Sequence, residues 1–223
     1  MPSVLSVSTE YANIPVVGIV GGVSAGKSSV VQNVSDLRLW VIDADRIGHE
    51  LLLTNDIREK LSHAFGEQIL DNSGLVLRQR LAEKVFGDSD QQINNRNRLN
   101  EILHPAIRSE ILRLIKQAPQ DADAIILDAA LLLEAGWADE CDAVIFIDTP
   151  DELRHQRAAA NRGWSMEELQ RREASQWSLL RKRQNSQFVV NNSGSVEEAA
   201  EQMKFVLKKI IERHSALMHG SEF

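Results

Sequence analysis

Eight residues dictate most of what this chain can fold into. Gly21-Gly22-Val23-Ser24-Ala25-Gly26-Lys27-Ser28 matches G-x-x-x-x-G-K-[ST] and follows directly on the apolar run Val16 to Val20. An apolar run, a glycine-rich turn and then a helical stretch is the arrangement of a phosphate-binding loop. Glycines let the turn close tightly, so that consecutive N–H groups point inward at phosphate oxygens. The helix that follows directs its positive end to the same place. The residues that would cradle the phosphates of a nucleoside triphosphate are Gly22, Val23, Ser24, Ala25, Gly26, Lys27, Ser28 and Ser29. Lys27 would reach the β- and γ-phosphates, and the Ser28 hydroxyl would ligate Mg²⁺.

The rest of the chain continues the alternation. Further apolar runs lie at Leu39 to Ile42, Ala124 to Leu127, Ala143 to Ile147 and Phe188 to Val190. They are nearly continuous in Val, Ile, Leu and Phe, as strands buried on both faces should be. Helical patterns lie between them, which predicts an α/β fold around a parallel sheet. Val196, Ala199, Ala200, Met203, Val206, Leu207, Ile210 and Leu217 recur at helical steps, with Ser195 as N-cap. Between Asp43 and Asp123 no strand pattern occurs, while Leu77 to Phe86 and Leu99 to Ile115 read as amphipathic helices. That length exceeds a simple crossover and predicts an inserted helical subdomain over 54–119. The core would then comprise 15–53, 120–150 and 185–218, after a loose extension at 1–14. Gly220 to Phe223 is set aside as a cloning remnant.

Composition narrows the class. Of 223 residues 43% are apolar, enough for a sizeable core, and the single Cys141 precludes an intrachain disulfide and suits a reducing compartment. A net charge of −7 speaks against a general nucleic-acid partner. No stretch reaches the length of a spanning helix, and no Lys or Arg precedes Lys27, so neither a membrane span nor a secretory leader is expected. The expectation is a cytoplasmic protein, monomeric or weakly homo-oligomeric. Charge is uneven: residues 154–183 hold eight basic and three acidic residues, a balance of +5, and the remainder hold 17 and 29, a balance of −12. A concentrated basic segment on an acidic protein fits a local anionic ligand, or else a solvated helical face.

The loop specifies a nucleoside triphosphate, not a reaction. Asn-Lys-x-Asp, which a GTPase would carry for guanine, is absent, and Asp71-Asn72-Ser73-Gly74 reads as a turn. A small-molecule kinase needs a carboxylate near the acceptor hydroxyl. Asp43 and Asp45 stand at the carboxyl end of the second run, where ligands of parallel sheets bind. Asp128 ends the third run and could hold Mg²⁺ through water as a Walker B carboxylate does.

At this point the chain resembles the dephospho-CoA kinase family from about Val16 to Ala200. The pieces occur in the family's order: the loop, Val41-Ile42-Asp43-Ala44-Asp45, Leu103-His104-Pro105-Ala106-Ile107, Leu131-Leu132-Leu133-Glu134 with Gly136-Trp137, Gln156-Arg157 with Arg162, Ser175-Gln176, Lys182-Arg183 and Asn192-Ser193-Gly194. The resemblance implies a five-stranded parallel P-loop core, a helical acceptor-binding insertion and a helical lid at 151–184. It implies ATP- and Mg²⁺-dependent phosphorylation of the ribose 3′-hydroxyl of dephospho-CoA, giving CoA. Asp45 would be the base, Lys27 and Arg162 would hold the transferring phosphoryl group, and Asn192 and Gly194 would lie near the adenine. Asp43, Leu77, Arg78, His104 and Glu134 would serve the acceptor.

The sequence departs from the family at Ala130, where Pro is usual, at Ser24-Ala25, at the spacing from Arg157 to Arg162, one residue longer than usual, and at Gln187. His104-Pro105 reads more simply as structural, Pro suiting the first turn of a helix. Trp40, Trp137, Trp164 and Trp177 read as packing residues, Trp164 being the one placed to meet a ligand. The alternatives are another P-loop small-molecule or nucleoside monophosphate kinase, or a nucleotide-binding regulator without turnover.

Overall fold

The computed structural model describes residues 14–87 and 89–219. The expected extension, save Ile14, and the segment Gly220 to Phe223 lie outside the described residues. Two compact units form. One comprises the chain up to Asp43 and from Leu114 onward, the other Ala44–Arg113.

The first unit is built on a parallel sheet of β1 (Val16–Gly21), β2 (Leu39–Asp43), β3 (Ala124–Asp128), β4 (Ala143–Asp148) and β5 (Phe188–Asn191), in the order β2-β3-β1-β4-β5. The five expected runs are all strands, and each continues one residue past its apolar pattern, onto Gly21, Asp43, Asp128, Asp148 and Asn191. The ladder needs only backbone groups, so pairing persists where apolar burial has ended. β1 is buried along its whole length. Its Val17 and Ile19 meet Val30 and Val31 of α1 (Lys27–Gln32) and Ala199, Met203 and Leu207 of α9 (Val196–His219) in one core. Ser195 caps α9 as expected: its Oγ accepts from Glu198 N (3.2 Å) and its N–H donates to Glu198 Oε2 (3.1 Å), a capping box. The buried stripe stops short of the exposed Leu217. β1 leads outward to β2, whereas β3 crosses back over β1 to β4, so a crevice opens at the carboxyl ends of β1 and β3.

The second unit is helical: α2 (Ala44–Leu51), α3 (Asn55–Phe65), α4 (Arg78–Val85) and most of α5 (Asp90–Lys116). Leu52, Ile57, Leu61, Phe65, Ile69, Leu81 and Val85 form its core, with Leu51, Leu99, Ile102 and Leu103 packed against it. Because Leu51 and Leu52 join that core, the unit begins directly after β2. Asp71-Asn72-Ser73-Gly74 is the turn that the sequence suggested: Asp71 Oδ1 accepts from Ser73 N, Ser73 Oγ and Leu75 N, which holds its carboxyl below the usual range. α5 starts nine residues before Leu99, through a polar stretch with no apolar period to announce it. Pro105 lies inside α5, not in a first turn, and has no N–H to continue the helical ladder there.

Basic residues 154–183 fall in α6 (Asp151–Arg162), α7 (Met166–Ala174) and α8 (Leu179–Gln184), within the sheet unit. Ser165 and Ser178 cap α7 and α8 through their hydroxyls.

Candidate active site

The loop leaving β1 turns through two left-handed residues, Ser24 (φ 59°) and Gly26 (φ 82°). Alternating backbone hands turn successive N–H groups to one side and make an anion-binding concavity. Only glycine takes such a φ freely, so Ser24 holds a strained conformation of about 1 kcal/mol. Its Oγ is buried and has no hydrogen-bond partner among the described residues.

Three carbonyl-directed bonds fix the loop from outside. Ala25 O accepts from Thr149 Oγ1 (2.8 Å), Asn192 Nδ2 (2.8 Å) and Arg157 Nη1 (3.1 Å). Thr149 follows β4 and Asn192 follows β5, so the ends of two neighbouring strands hold a carbonyl of the loop from β1. A Cβ on Gly26 would come within 3.0 Å of both Arg157 and Asn192, and one on Gly22 within 2.7 Å of Arg154. The glycines are there because side chains close against the loop.

At the inner side, Ser28 Oγ donates to Asp128 Oδ2 (2.7 Å) and Lys27 Nζ stands 4.0 Å from Asp128 Oδ1. Asp43 is in register with Asp128 on the adjacent strand. A hydroxyl and carboxylates are hard oxygen donors, the set that Mg²⁺ takes beside phosphate and water. Among the described residues no group of three or more His, Cys, Asp or Glu is arranged to hold a metal. The ion would draw its remaining ligands from phosphate and water. Ser28 and Asp128 therefore fit the expected ion.

A cavity of about 560 Å³ adjoins the loop, lined by Ser24, Lys27, Ser28, Arg157, Arg162 and Asn192 among others. Of the expected nucleotide residues, Asn192 and those from Ser24 to Ser29 reach it, the Asn192 Oδ1 being buried without a partner among the described residues, while Gly194 lies against the Glu198 carboxylate. Sequence reasoning passed over Thr149 and Asn161 and took Arg154 and Arg157 only as members of the basic segment, Arg157 also as part of a motif; all four contact the loop or line the cavity. Arg157 and Asn161, one helical turn apart, carried a spacing signal; Thr149 carried none.

Most basic side chains of the segment are engaged. Arg154, 2% exposed, pairs with Asp151 and Glu173. Arg171 and Arg172 pair with Glu168, and Arg183 pairs with Asp148. Arg162 and Arg172 stack on Trp164 at 4.7 and 4.1 Å. Lys182, 1% exposed, donates to Ala130 O (2.9 Å) and Gln176 Oε1 (2.7 Å) and lies 3.2 Å from Glu134 Oε1. Glu134 Oε1 also accepts from Trp177 N (2.7 Å), so this expected acceptor residue is tied to the start of α8.

Asp45, Leu77, Arg78 and His104 belong to the helical unit. Asp45 is exposed in the first turn of α2, two residues past Asp43. Leu77 caps α4, and Arg78 Nη2 meets His49 Nε2 at 2.8 Å. His104 is half-buried, and burial pushes its pKa below the usual imidazole value.

Known proteins share this arrangement. The family model described as dephospho-CoA kinase matches residues 15–198. The dephospho-CoA kinase of Rhodopirellula baltica is 35% identical over 209 residues, covering 93% of this chain and 96% of its own length. That of Aquifex aeolicus is 34% identical over 195 residues, covering 87% and 96%. The crystal structure of TT1252 from Thermus thermophilus superposes with a TM-score of 0.73 at 28% identity, over 88% of this chain and 97% of that one. With the phosphate loop, the parallel sheet and these relatives in agreement, the chain belongs to the dephospho-CoA kinase family.

Proposed function

We propose that the protein transfers the γ-phosphoryl group of ATP to the ribose 3′-hydroxyl of dephospho-CoA. The 3′-oxygen forms a bond to the γ-phosphorus as the bond from that phosphorus to the β–γ bridging oxygen breaks, releasing ADP and CoA. The observation that carries this reading is the cluster of Lys27, Ser28 and Asp128 at the mouth of the loop. Phosphoryl transfer asks for positioning and charge neutralisation above all. Loop amides and Lys27 would hold the β- and γ-phosphates, and the guanidinium of Arg162 matches phosphate oxygens in shape and charge. Ser28 and Asp128 would hold Mg²⁺, which when bound supplies further neutralisation of the phosphate charge. Asp45 would orient the 3′-hydroxyl and accept its proton; its exposure and its place two residues beyond the end of β2 support that role.

The acceptor is tested by a coupled assay of ADP release with ATP, Mg²⁺ and one acceptor at a time. Turnover is expected with dephospho-CoA and not with AMP, adenosine or shikimate. Turnover on AMP without turnover on dephospho-CoA would overturn the proposal. A cytoplasmic setting is supported by Cys141, a single buried cysteine that no intrachain disulfide can engage.

A further inference from the structure

The Ala25 carbonyl accepts three hydrogen bonds, although a carbonyl oxygen has two lone pairs. The two shorter bonds come from buried side chains, Thr149 (5% exposed) and Asn192 (1% exposed). The longest comes from Arg157, which lines the cavity. Two of the donors are thus built into the sheet, and the third stands over the ligand space.

We propose that Thr149 is a positioning residue for polyphosphate binding: its buried hydroxyl, with Asn192, fixes the direction of the Ala25 carbonyl, so that the loop amides keep their orientation toward the phosphates whether or not Arg157 stays in place. The backbone argument is direct. A peptide unit is planar, so fixing the direction of the Ala25 carbonyl also fixes the N–H of the following residue, Gly26, which points the opposite way. Gly26 is itself held left-handed and is the N-cap of α1, so its N–H belongs to the same concavity. Ala25 N donates to Gly22 O (3.2 Å), which closes the turn on its other side. Thr149 comes from the end of β4, and β4 pairs with β1 through Gly21 and Ile147. The hydroxyl is therefore delivered by the sheet and does not depend on α6, which carries Arg157. With Thr149 and Asn192 satisfying the carbonyl, Arg157 can leave it for a phosphate oxygen without stranding a buried acceptor.

This inference rests on the phosphate-binding reading of the loop and not on the identity of the acceptor. The test is calorimetric binding of ATP, ADP, inorganic tripolyphosphate and adenosine to wild type, Thr149→Val and Thr149→Ser, with thermal melts of each protein alone. Val keeps the shape and removes the hydroxyl; Ser keeps the hydroxyl. Loss of one positioning hydrogen bond is expected to weaken ATP, ADP and tripolyphosphate about tenfold in Thr149→Val. Adenosine affinity should be unchanged, and Thr149→Ser should bind as wild type. Wild-type ATP affinity in Thr149→Val would overturn the proposal. So would an equal loss for adenosine, or a Thr149→Val protein that does not fold, since the hydroxyl would then act on the fold at large. None of these outcomes depends on dephospho-CoA, so the acceptor assay can fail separately.

Discussion

Replacing Lys182 with Met should be among the most damaging single changes outside the phosphate loop. The ammonium is 1% exposed and sits among Ala130 O, Gln176 Oε1 and Glu134 Oε1. Met fills a similar volume but supplies no donor, so three buried acceptors lose a partner together. Glu134 keeps the Trp177 N–H for Oε1, while its Oε2 is already buried without a partner among the described residues. A buried ion pair broken from one side loses about 3–5 kcal/mol, because the remaining charge stays desolvated. For a chain of 223 residues that corresponds to a fall of about 10 °C in Tm. Urea unfolding of the single variant measures the loss. The double variant Lys182→Met with Glu134→Gln removes the stranded charge and should recover about 1–2 kcal/mol of it. The reasoning fails if Lys182→Met lies within about 1 kcal/mol of wild type. It fails equally if the double variant is less stable than Lys182→Met alone.

Asp45→Asn should retain ATP affinity and lower turnover by about 10² or more; near-normal turnover would remove Asp45 from the role of base. Arg162 rests on the Trp164 ring, and an arginine drawn onto a phosphate would leave it. ATP should therefore change tryptophan fluorescence in wild type and not in Trp164→Leu, and an identical change in both would show that Arg162 does not move off the ring. Trp164→Leu should also shift the KM for ATP only a few-fold, the scale of an exposed cation–π contact.

The sheet was legible because its strands are buried on both faces and their apolar runs stand out without alternation. The phosphate loop was legible because its geometry demands glycines and one lysine at fixed spacing. The start of α5 was hidden, since Asp90 to Arg98 has no apolar period of its own and is helical only as the leading turns of the amphipathic segment from Leu99. The basic segment was legible in part: Arg154 with Asp151, and Arg171 and Arg172 with Glu168, pair at three- and four-residue steps that the sequence displays, whereas pairing with Glu173, Asp148 and Glu134 depends on which elements face each other, and composition does not encode that. Thr149 was invisible for a related reason. In Asp148-Thr149-Pro150 a threonine reads as an ordinary turn residue, and only the pairing of β4 with β1 brings its hydroxyl to Ala25.

The one-residue overhang of the strands other than β1, whose Gly21 is itself buried, separates two demands that a protein usually has to meet at the same position. Ile126 or Ile145, inside the stack, cannot change without opening a hole in the hydrophobic interior. Asp148, one step beyond the apolar end of β4, is open to solvent and keeps its backbone pairing whatever side chain it bears. The fringe of the sheet is thus a place where new reactivity can be tried on an unaltered scaffold. Variants selected for a different acceptor should accumulate along this border and spare the layers beneath it.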